Sequence, residues 1–272
     1  MRWRSEEMFG LKLRSVGTVE NPMIFCELFS NEKLSAEERK ELSGAIALML
    51  SLNEDVTEFY SLAKSDPLLR ALVKDLYGMR RTKRPDIFPT LVLAVTLQMA
   101  PIRRTLQMWD LLIKNYGEKV RFDGREVQYW PSPKSVARAS VRELEERCKL
   151  GYRAKVLRGI AQAITKGFPT LQELETMQPE EAKTKLTELK GIGEYSADIV
   201  SPHPGFAIDV WSAKIFNFLL FGETTESPRS IIPELKRIAE ERWGRWRTHV
   251  FVYVLNDLNN LSRRSDIDLA ER

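Results

Sequence analysis

Hydrophobic positions follow two different periods along this chain. Near the start, apolar residues fall in short runs: Leu11-Lys12-Leu13-Arg14-Ser15-Val16, then Met23-Ile24-Phe25-Cys26-Glu27-Leu28-Phe29. The first run partly alternates, and Gly17 and Asn21-Pro22 stand between the two as turn signals, so the pattern predicts a small antiparallel strand pair. Thereafter the spacing is helical. Ser35-Ala36-Glu37-Glu38 has the form of a helix start with acidic residues in its first turn, and Leu42, Ala45, Ile46, Leu48, Met49 and Leu52 supply the apolar stripe behind it. Similar stripes predict helices over 56–63, 67–77, 87–97, 102–116, 141–148, 153–166, 171–177, 179–189, 194–200, 210–221, 228–243 and 246–261. The fold class is therefore mainly α, with a small N-terminal antiparallel β segment. No repeat or low-complexity linker interrupts it. The division falls between a β/α segment at 1–55 and a helical body at 56–272.

Composition narrows the function less than the pattern does. The chain has 272 residues, 43% of them hydrophobic, enough for a sizeable core. Its net charge is +4, since 42 basic residues are nearly balanced by 38 acidic ones, so basicity alone does not argue for nucleic acid. Local clusters do exist at Arg80-Arg81-Thr82-Lys83-Arg84 and Arg103-Arg104, and each reads equally as a solvated face. With Cys26 and Cys148 as the only cysteines, a four-cysteine iron–sulfur cluster is excluded and a reducing compartment is expected. Two histidines and two cysteines, far apart, argue against zinc. Neither a leader nor a membrane-length apolar run is seen, so the expectation is a soluble monomer, cytoplasmic (nucleoid) or nuclear, with no membrane partner.

The most informative stretch is Leu186-Thr187-Glu188-Leu189-Lys190-Gly191-Ile192-Gly193-Glu194-Tyr195-Ser196-Ala197-Asp198. It reads as helix, tight Gly-Ile-Gly turn, then helix, a hairpin over 183–200. Glycines permit unusual backbone angles and leave no side chain before an approaching ligand. A helix starting near Gly193 points N–H groups and a positive dipole end out of the turn, which suits a phosphate. A loop at 201–209 follows and ends in Phe206-Ala207-Ile208-Asp209-Val210-Trp211, a carboxylate among apolar residues.

The pattern L-x-G-I-G-x-Y-x-A-D followed by an apolar loop ending in Asp resembles the helix-hairpin-helix DNA glycosylases. Tyr129-Trp130-Pro131-Ser132-Pro133 and Leu150-Gly151-Tyr152-Arg153-Ala154-Lys155 resemble segments that precede the hairpin in that superfamily. Arg242-Trp243-Gly244-Arg245-Trp246-Arg247-Thr248-His249 resembles a C-terminal segment of its AlkA-type 3-methyladenine branch. The resemblance covers roughly residues 55–260, and the N-terminal sheet is short for the family.

That resemblance implies an enzyme that flips a damaged base from double-stranded DNA and hydrolyses its glycosidic bond in base excision repair. It makes Asp209 the catalytic carboxylate, although Asp209 also fits as the cap of the next helix, and both can hold. Asp198 reads as a structural cap or ion pair. It implies backbone contact to DNA through Lys190, Gly191, Ile192, Gly193, Glu194 and Ser196, with Arg153 and Lys214 as further DNA contacts. A structural monovalent cation would bind the carbonyls of Thr187, Leu189 and Ile192, and no cofactor is required. Gln98 and Met99 match the wedge that fills the gap in the stack, and the alternative is that Met99 fills the core. Tyr195, Trp211, Phe206, Leu255 and His203 are the base-pocket candidates, with His203 equally readable as a plain loop residue. Bifunctional relatives place a lysine where this chain has Tyr195, which points to a monofunctional enzyme leaving an abasic site. Leu255 stands where the AlkA-type branch has a pocket tryptophan, a departure from its pattern. Alkylated purines are the leading substrate. Hypoxanthine, uracil, mismatched thymine and 8-oxoguanine on the same fold are alternatives, as is a non-catalytic DNA-binding protein.

Overall fold

The computed structural model describes residues 2–3, 7–18, 21–83, 86–265 and 269. They form two compact units that the chain enters twice. Residues 1–49 group with 84–170, and residues 50–83 group with 171–272. The division drawn from sequence at 55/56 cuts along the chain, whereas the compact units cut across it.

In the first unit, strands Gly10–Ser15 and Ile24–Phe29 pair antiparallel, with Gly10 opposite Phe29 and Ser15 opposite Ile24, as the run pattern predicts. A second hairpin, Glu118–Phe122 with Arg125–Tyr129, was not expected from the sequence pattern. Its turn residues Asp123 and Gly124 both have positive φ, 51° and 68°, the geometry that Asp-Gly favours between twisted strands. The two hairpins meet closely. A Cβ on Gly10 would lie 2.3 Å from the Phe122 ring, and Phe122 and Phe29 rings are 5.4 Å apart. The short helix Pro133–Arg138, capped by Ser132, is also additional to the pattern.

The helix Ile87–Leu97 is the axis of this unit. Its composition is apolar on nearly every side, and Phe88, Leu91, Val92, Ala94 and Val95 are all buried. Burying each large side chain contributes about 1.5–3 kcal/mol against leaving it exposed. The amphipathic helix Ile102–Tyr116 packs one face, through Thr105, Met108 and Leu112. Polar Thr96 is satisfied within this packing: Thr105 Oγ1 donates to its carbonyl at 3.0 Å, and Trp109 Nε1 donates to its hydroxyl at 2.8 Å.

The second unit is built around aromatic rings. Phe59, Phe206, Phe216, Trp243, Trp246 and Tyr253 are buried in one cluster. The helix expected over 246–261 is divided: a 3-10 turn at Gly244–Trp246, then helices Arg247–Asn256 and Leu258–Ser265. Asp257 makes the break. It is buried, its backbone carbonyl accepts Leu261 N at 2.9 Å, and its Oδ1 accepts the Asn260 side-chain amide at 2.7 Å. The Arg80–Arg84 cluster is not a purely solvated face either. Arg80 Nη1 donates to Glu54 O at 2.8 Å, and burial holds the Arg81 guanidinium below its usual pKa, opposed by the charge of Glu54. Arg84 lies outside the described residues. Among the described residues, no helix is long and apolar enough to cross a membrane.

Candidate nucleic-acid interface and catalytic loop

The hairpin lies within the second unit. Its helices run Pro179–Thr187 and Glu194–Val200. Leu186, Leu189, Ile192 and Ala197 turn inward and anchor it, and Ile192 N donates to Leu189 O at 2.9 Å to close the turn. Gly191 takes φ +93°, which side-chain-bearing residues rarely adopt. Gly193 differs. Its φ of −93° suits any residue, and a Cβ there would meet nothing within 4 Å. Gly191 is thus demanded by the backbone, while Gly193 keeps the approach clear. Lys190, Gly191, Gly193 and Glu194 are exposed, but the side chains of Ile192 and Ser196 are buried and cannot touch a ligand.

Behind the turn sits an ion network. Lys183 Nζ lies 3.0 Å from Glu194 and 3.3 Å from Asp198, and Lys236 Nζ lies 2.9 Å from Asp198 and 3.3 Å from Glu194. The Asp198 side chain is only 9% exposed, so it ties both hairpin helices to the helix Pro228–Trp243. The Lys183 hydrogen bond holds the Glu194 carboxyl below its usual range. Glu194 therefore serves the network as well as the exposed face.

The loop that follows is clamped. A Cβ on Gly205 would stand 3.2 Å from Asp198 O, tighter than most such contacts, so glycine lets the loop lie this close without pushing the hairpin aside. Gly205 N donates to Thr248 Oγ1 at 2.8 Å, Thr248 Oγ1 donates to Gly205 O at 2.7 Å, and Arg247 Nη2 donates to Pro204 O at 2.9 Å. His203 Nε2 is 3.2 Å from Leu174 O. Phe206 and Ile208 are buried as anchors. Asp209, held between these anchors and the helix Val210–Phe221, caps that helix. Ser212 N and Ser212 Oγ both donate to Asp209 Oδ1, at 2.8 and 2.7 Å, and Asp209 N donates to Ser212 Oγ at 2.8 Å. All the carboxyl's bonds fall on Oδ1, so Oδ2 has no protein partner among the described residues.

In the first unit, the helix Ile87–Leu97 ends at Gln98, and Met99 forms the apex of the next turn. Met99 has φ +47° and is 87% exposed. It is an apolar side chain held outward in a costly conformation, and the core-filling alternative fails.

No family model matches the chain. A curated relative, the DNA-3-methyladenine glycosylase of Bacillus subtilis (strain 168), is 25% identical over 190 residues, 69% of this chain and 62% of that protein. The match thus spans less than two thirds of that relative's length. Among solved structures, the 3-methyladenine DNA glycosylase from Archaeoglobus fulgidus superposes with a TM-score of 0.74 at 23% identity, over 92% of this chain and 83% of that one. The Clostridium acetobutylicum 8-oxoguanine glycosylase/lyase, in complex with double-stranded DNA containing cytosine opposite 8-oxoG, gives 0.73 at 19% identity, over 98% and 88%. The fold is that of the helix-hairpin-helix DNA glycosylases.

Within this glycosylase fold, two expected site residues move to other roles. Phe206 is 3% exposed, with ring centroids 4.8 Å from Phe216, 5.5 Å from Phe251 and 6.0 Å from Trp243. It belongs to the core, and no base can stack on it. Arg153 is 9% exposed, and its Nη2 donates to the backbone carbonyl of Gln98, so it does not face DNA as a free cation. The reason is the same for both: the sequence signals an aromatic and a cation but not which way each points. Tyr195, His203, Trp211 and Leu255 remain partly exposed, and Lys214 is exposed. Arg247 and Thr248 were read only as part of a motif. Their role as the loop's clamp is a tertiary fact. Among the described residues, no three His, Cys, Asp or Glu side chains group to hold a metal ion.

Proposed function

We propose that this chain is a DNA glycosylase of the AlkA-type branch, which removes an alkylated purine from duplex DNA and leaves an abasic site. The observation that carries this reading is Asp209: a carboxylate at the end of a clamped loop, with one oxygen fixed by Ser212 and the other without a partner among the described residues. The curated relative is named as a 3-methyladenine glycosylase, which supports the substrate class.

Met99 enters the stack as the base leaves it, and the exposed hairpin turn at Lys190–Gly193 takes a phosphate on its backbone. The carbonyls of Thr187, Leu189 and Ile192 would hold a monovalent cation there, with Leu189 O keeping a second lone pair beside its bond to Ile192 N. As the C1′–N bond breaks, positive charge develops on the sugar. Asp209 stabilises it electrostatically and accepts the proton of the attacking water, which forms the new C1′–O bond. The base leaves with the bonding pair. Tyr195 stacks on the electron-poor base, and with no amine at this position no Schiff base forms. No further cofactor is required, and the chain acts as a monomer.

A second reading keeps the chemistry and changes the base to 8-oxoguanine. It is favoured by Leu255 in place of a pocket tryptophan and by the likeness to the Clostridium enzyme. One assay tests both. Duplexes carrying 3-methyladenine, 7-methylguanine, hypoxanthine, uracil or 8-oxoguanine are incubated with the protein and scored for breaks with and without alkali. Alkali-dependent breaks in the alkylated duplexes are expected. Breaks without alkali would overturn the monofunctional reading, and cleavage confined to the 8-oxoguanine duplex would overturn the alkyl specificity. Release from none of the five duplexes, with tight binding to DNA retained, would favour a non-catalytic DNA-binding protein or a lesion outside the five.

A further inference from the structure

Two arginines tie the segment that carries the Met99 apex to the segment 149–153, each donating to a backbone carbonyl of the other's segment. Arg153, the first residue of the helix Arg153–Thr165, donates from Nη2 to Gln98 O. Arg104, on the helix Ile102–Tyr116, donates from Nη2 to Lys149 O at 2.6 Å. Gln98 leads into the Met99 turn, and Lys149 opens the turn that delivers Arg153. The two bonds therefore lace the segments 98–104 and 149–153 together in opposite directions.

The arrangement is demanding. Met99 and Lys149 both take positive φ, 47° and 54°, so both laced turns hold non-glycine residues in the left-handed region. Arg153 is almost wholly buried, and among the described residues its Nε has no hydrogen-bond partner. Its guanidinium carbon lies 4.5 Å from the centroid of the exposed Tyr152 ring. A buried cation with an unsatisfied donor is costly unless what it holds matters to the fold or to the site. The carbonyl it holds is that of the residue before the most exposed apolar side chain at this end of the helix.

We infer that Arg153 is a positioning residue: by fixing Gln98 O it presets the strained Met99 turn, so that the wedge needs no ordering when it meets the stack. Arg104 is its counterpart on the other segment. This rests on the proposed wedge role of Met99. A preset wedge removes the entropy of ordering a loop during base flipping, and that advantage is lost with the bond.

The test uses the full chain with Arg153→Met, Arg153→Lys, Met99→Ala and the double variant Arg153→Met/Met99→Ala. Amide hydrogen exchange in the free protein is read at Gln98–Ala100, and flipping is read as 2-aminopurine fluorescence in a duplex. Arg153→Met is expected to speed exchange at Gln98–Ala100 by roughly tenfold, the effect of one charge-assisted hydrogen bond, with exchange in the Leu91–Val95 interior unchanged. Arg153→Lys should do the same, because a single ammonium on a shorter stem does not replace the fork. Lysine also covers the case in which methionine fails to fold. Flipping should weaken by a similar factor, and the double variant should be no worse than Met99→Ala alone.

Unchanged exchange at Gln98–Ala100 would overturn the inference. So would multiplying effects of the two substitutions on flipping. A third overturning result is weaker binding to undamaged duplex with the salt slope reduced by about one, which would make Arg153 a direct phosphate contact. If the wild-type protein flips no base at all, the exchange data still decide the lacing, and only the glycosylase reading falls.

Discussion

Asp66 and Asp209 do the same local job in the same unit and end with opposite chemistry. Each caps a helix: Asp66 the helix Pro67–Asp75, Asp209 the helix Val210–Phe221. Asp66 is saturated. Its Oδ1 accepts Leu68 N at 3.0 Å, Leu69 N at 3.2 Å and Arg242 Nη2 at 2.9 Å, while Oδ2 accepts Arg242 Nε at 2.7 Å and Trp243 Nε1 at 2.9 Å. Asp209, among the described residues, commits only Oδ1. A carboxylate whose every lone pair is engaged stabilises a fold. One with an oxygen to spare, on a braced loop, can act on something else. Capping geometry alone would not have separated them; the second oxygen does.

The largest effect expected from breaking this contrast is on catalysis. Asp209→Asn keeps an oxygen for Ser212 N, so the cap survives and stability should change by less than about 0.5 kcal/mol. Base release should fall about a thousandfold, because the neutral amide no longer answers the charge on the sugar. Single-turnover release with a parallel thermal melt measures both. Full activity in the variant would remove Asp209 from the mechanism.

Asp66→Ala should do the reverse. Removing the partner of a partly buried guanidinium, an indole N–H and two helix N–H groups should destabilise the unit by about 3 kcal/mol. The effect is readable in denaturant unfolding. Activity per folded molecule should be little altered, and a selective loss of activity without destabilisation would refute the division of labour.

The same residue gives a pH dependence. Burial pushes the Asp66 carboxyl upward, but hydrogen bonds from Arg242 and Trp243 outweigh it and hold the carboxyl below its ordinary value. A folded value below the unfolded one, about 4, means the unfolded chain binds the proton first. Asp66 therefore stabilises fully above that unfolded value, and its contribution fades as pH falls through the lowered folded value. A stability titration should show an acid limb in the wild type that is shallower in Asp66→Ala. Equal limbs would assign acid sensitivity elsewhere.

What the sequence disclosed follows the distance over which each signal acts. The strand pair at 10–29, most helices and the hairpin turn came from local spacing, and the structure places them close to the expected bounds. Asp123-Gly124 between Val120-Arg121-Phe122 and Arg125-Glu126-Val127 was a local hairpin signal too, and the unexpected strands at 118–129 lie on either side of it. The helix break at Asp257 was harder, since apolar spacing runs through it and the buried carboxylate that stands at the break bonds to the Asn260 side chain rather than to solvent. Site residues split in the same way. Asp209 and Gly191 were legible because caps and turns are local. Phe206, Arg153 and the Arg247–Thr248 clamp were not, because burial and partners many residues distant decide what they do.

The smallest expected effect sharpens the comparison within the hairpin turn, where two glycines one residue apart answer different needs. Gly191→Ala forces a side chain into φ +93° and should destabilise by about 1–2 kcal/mol. Gly193→Ala meets no atom within 4 Å and keeps an allowed φ, so its stability should move by no more than about 0.5 kcal/mol either way. On the proposed reading the methyl group would nonetheless stand where a phosphate is to approach the turn. Affinity for duplex DNA should then fall severalfold in Gly193→Ala while its melting temperature holds. Fluorescence anisotropy beside a thermal melt reads the two quantities separately. If Gly193→Ala bound DNA as the wild type does, the turn would be a structural joint, and the grip on the backbone would have to lie elsewhere in the chain.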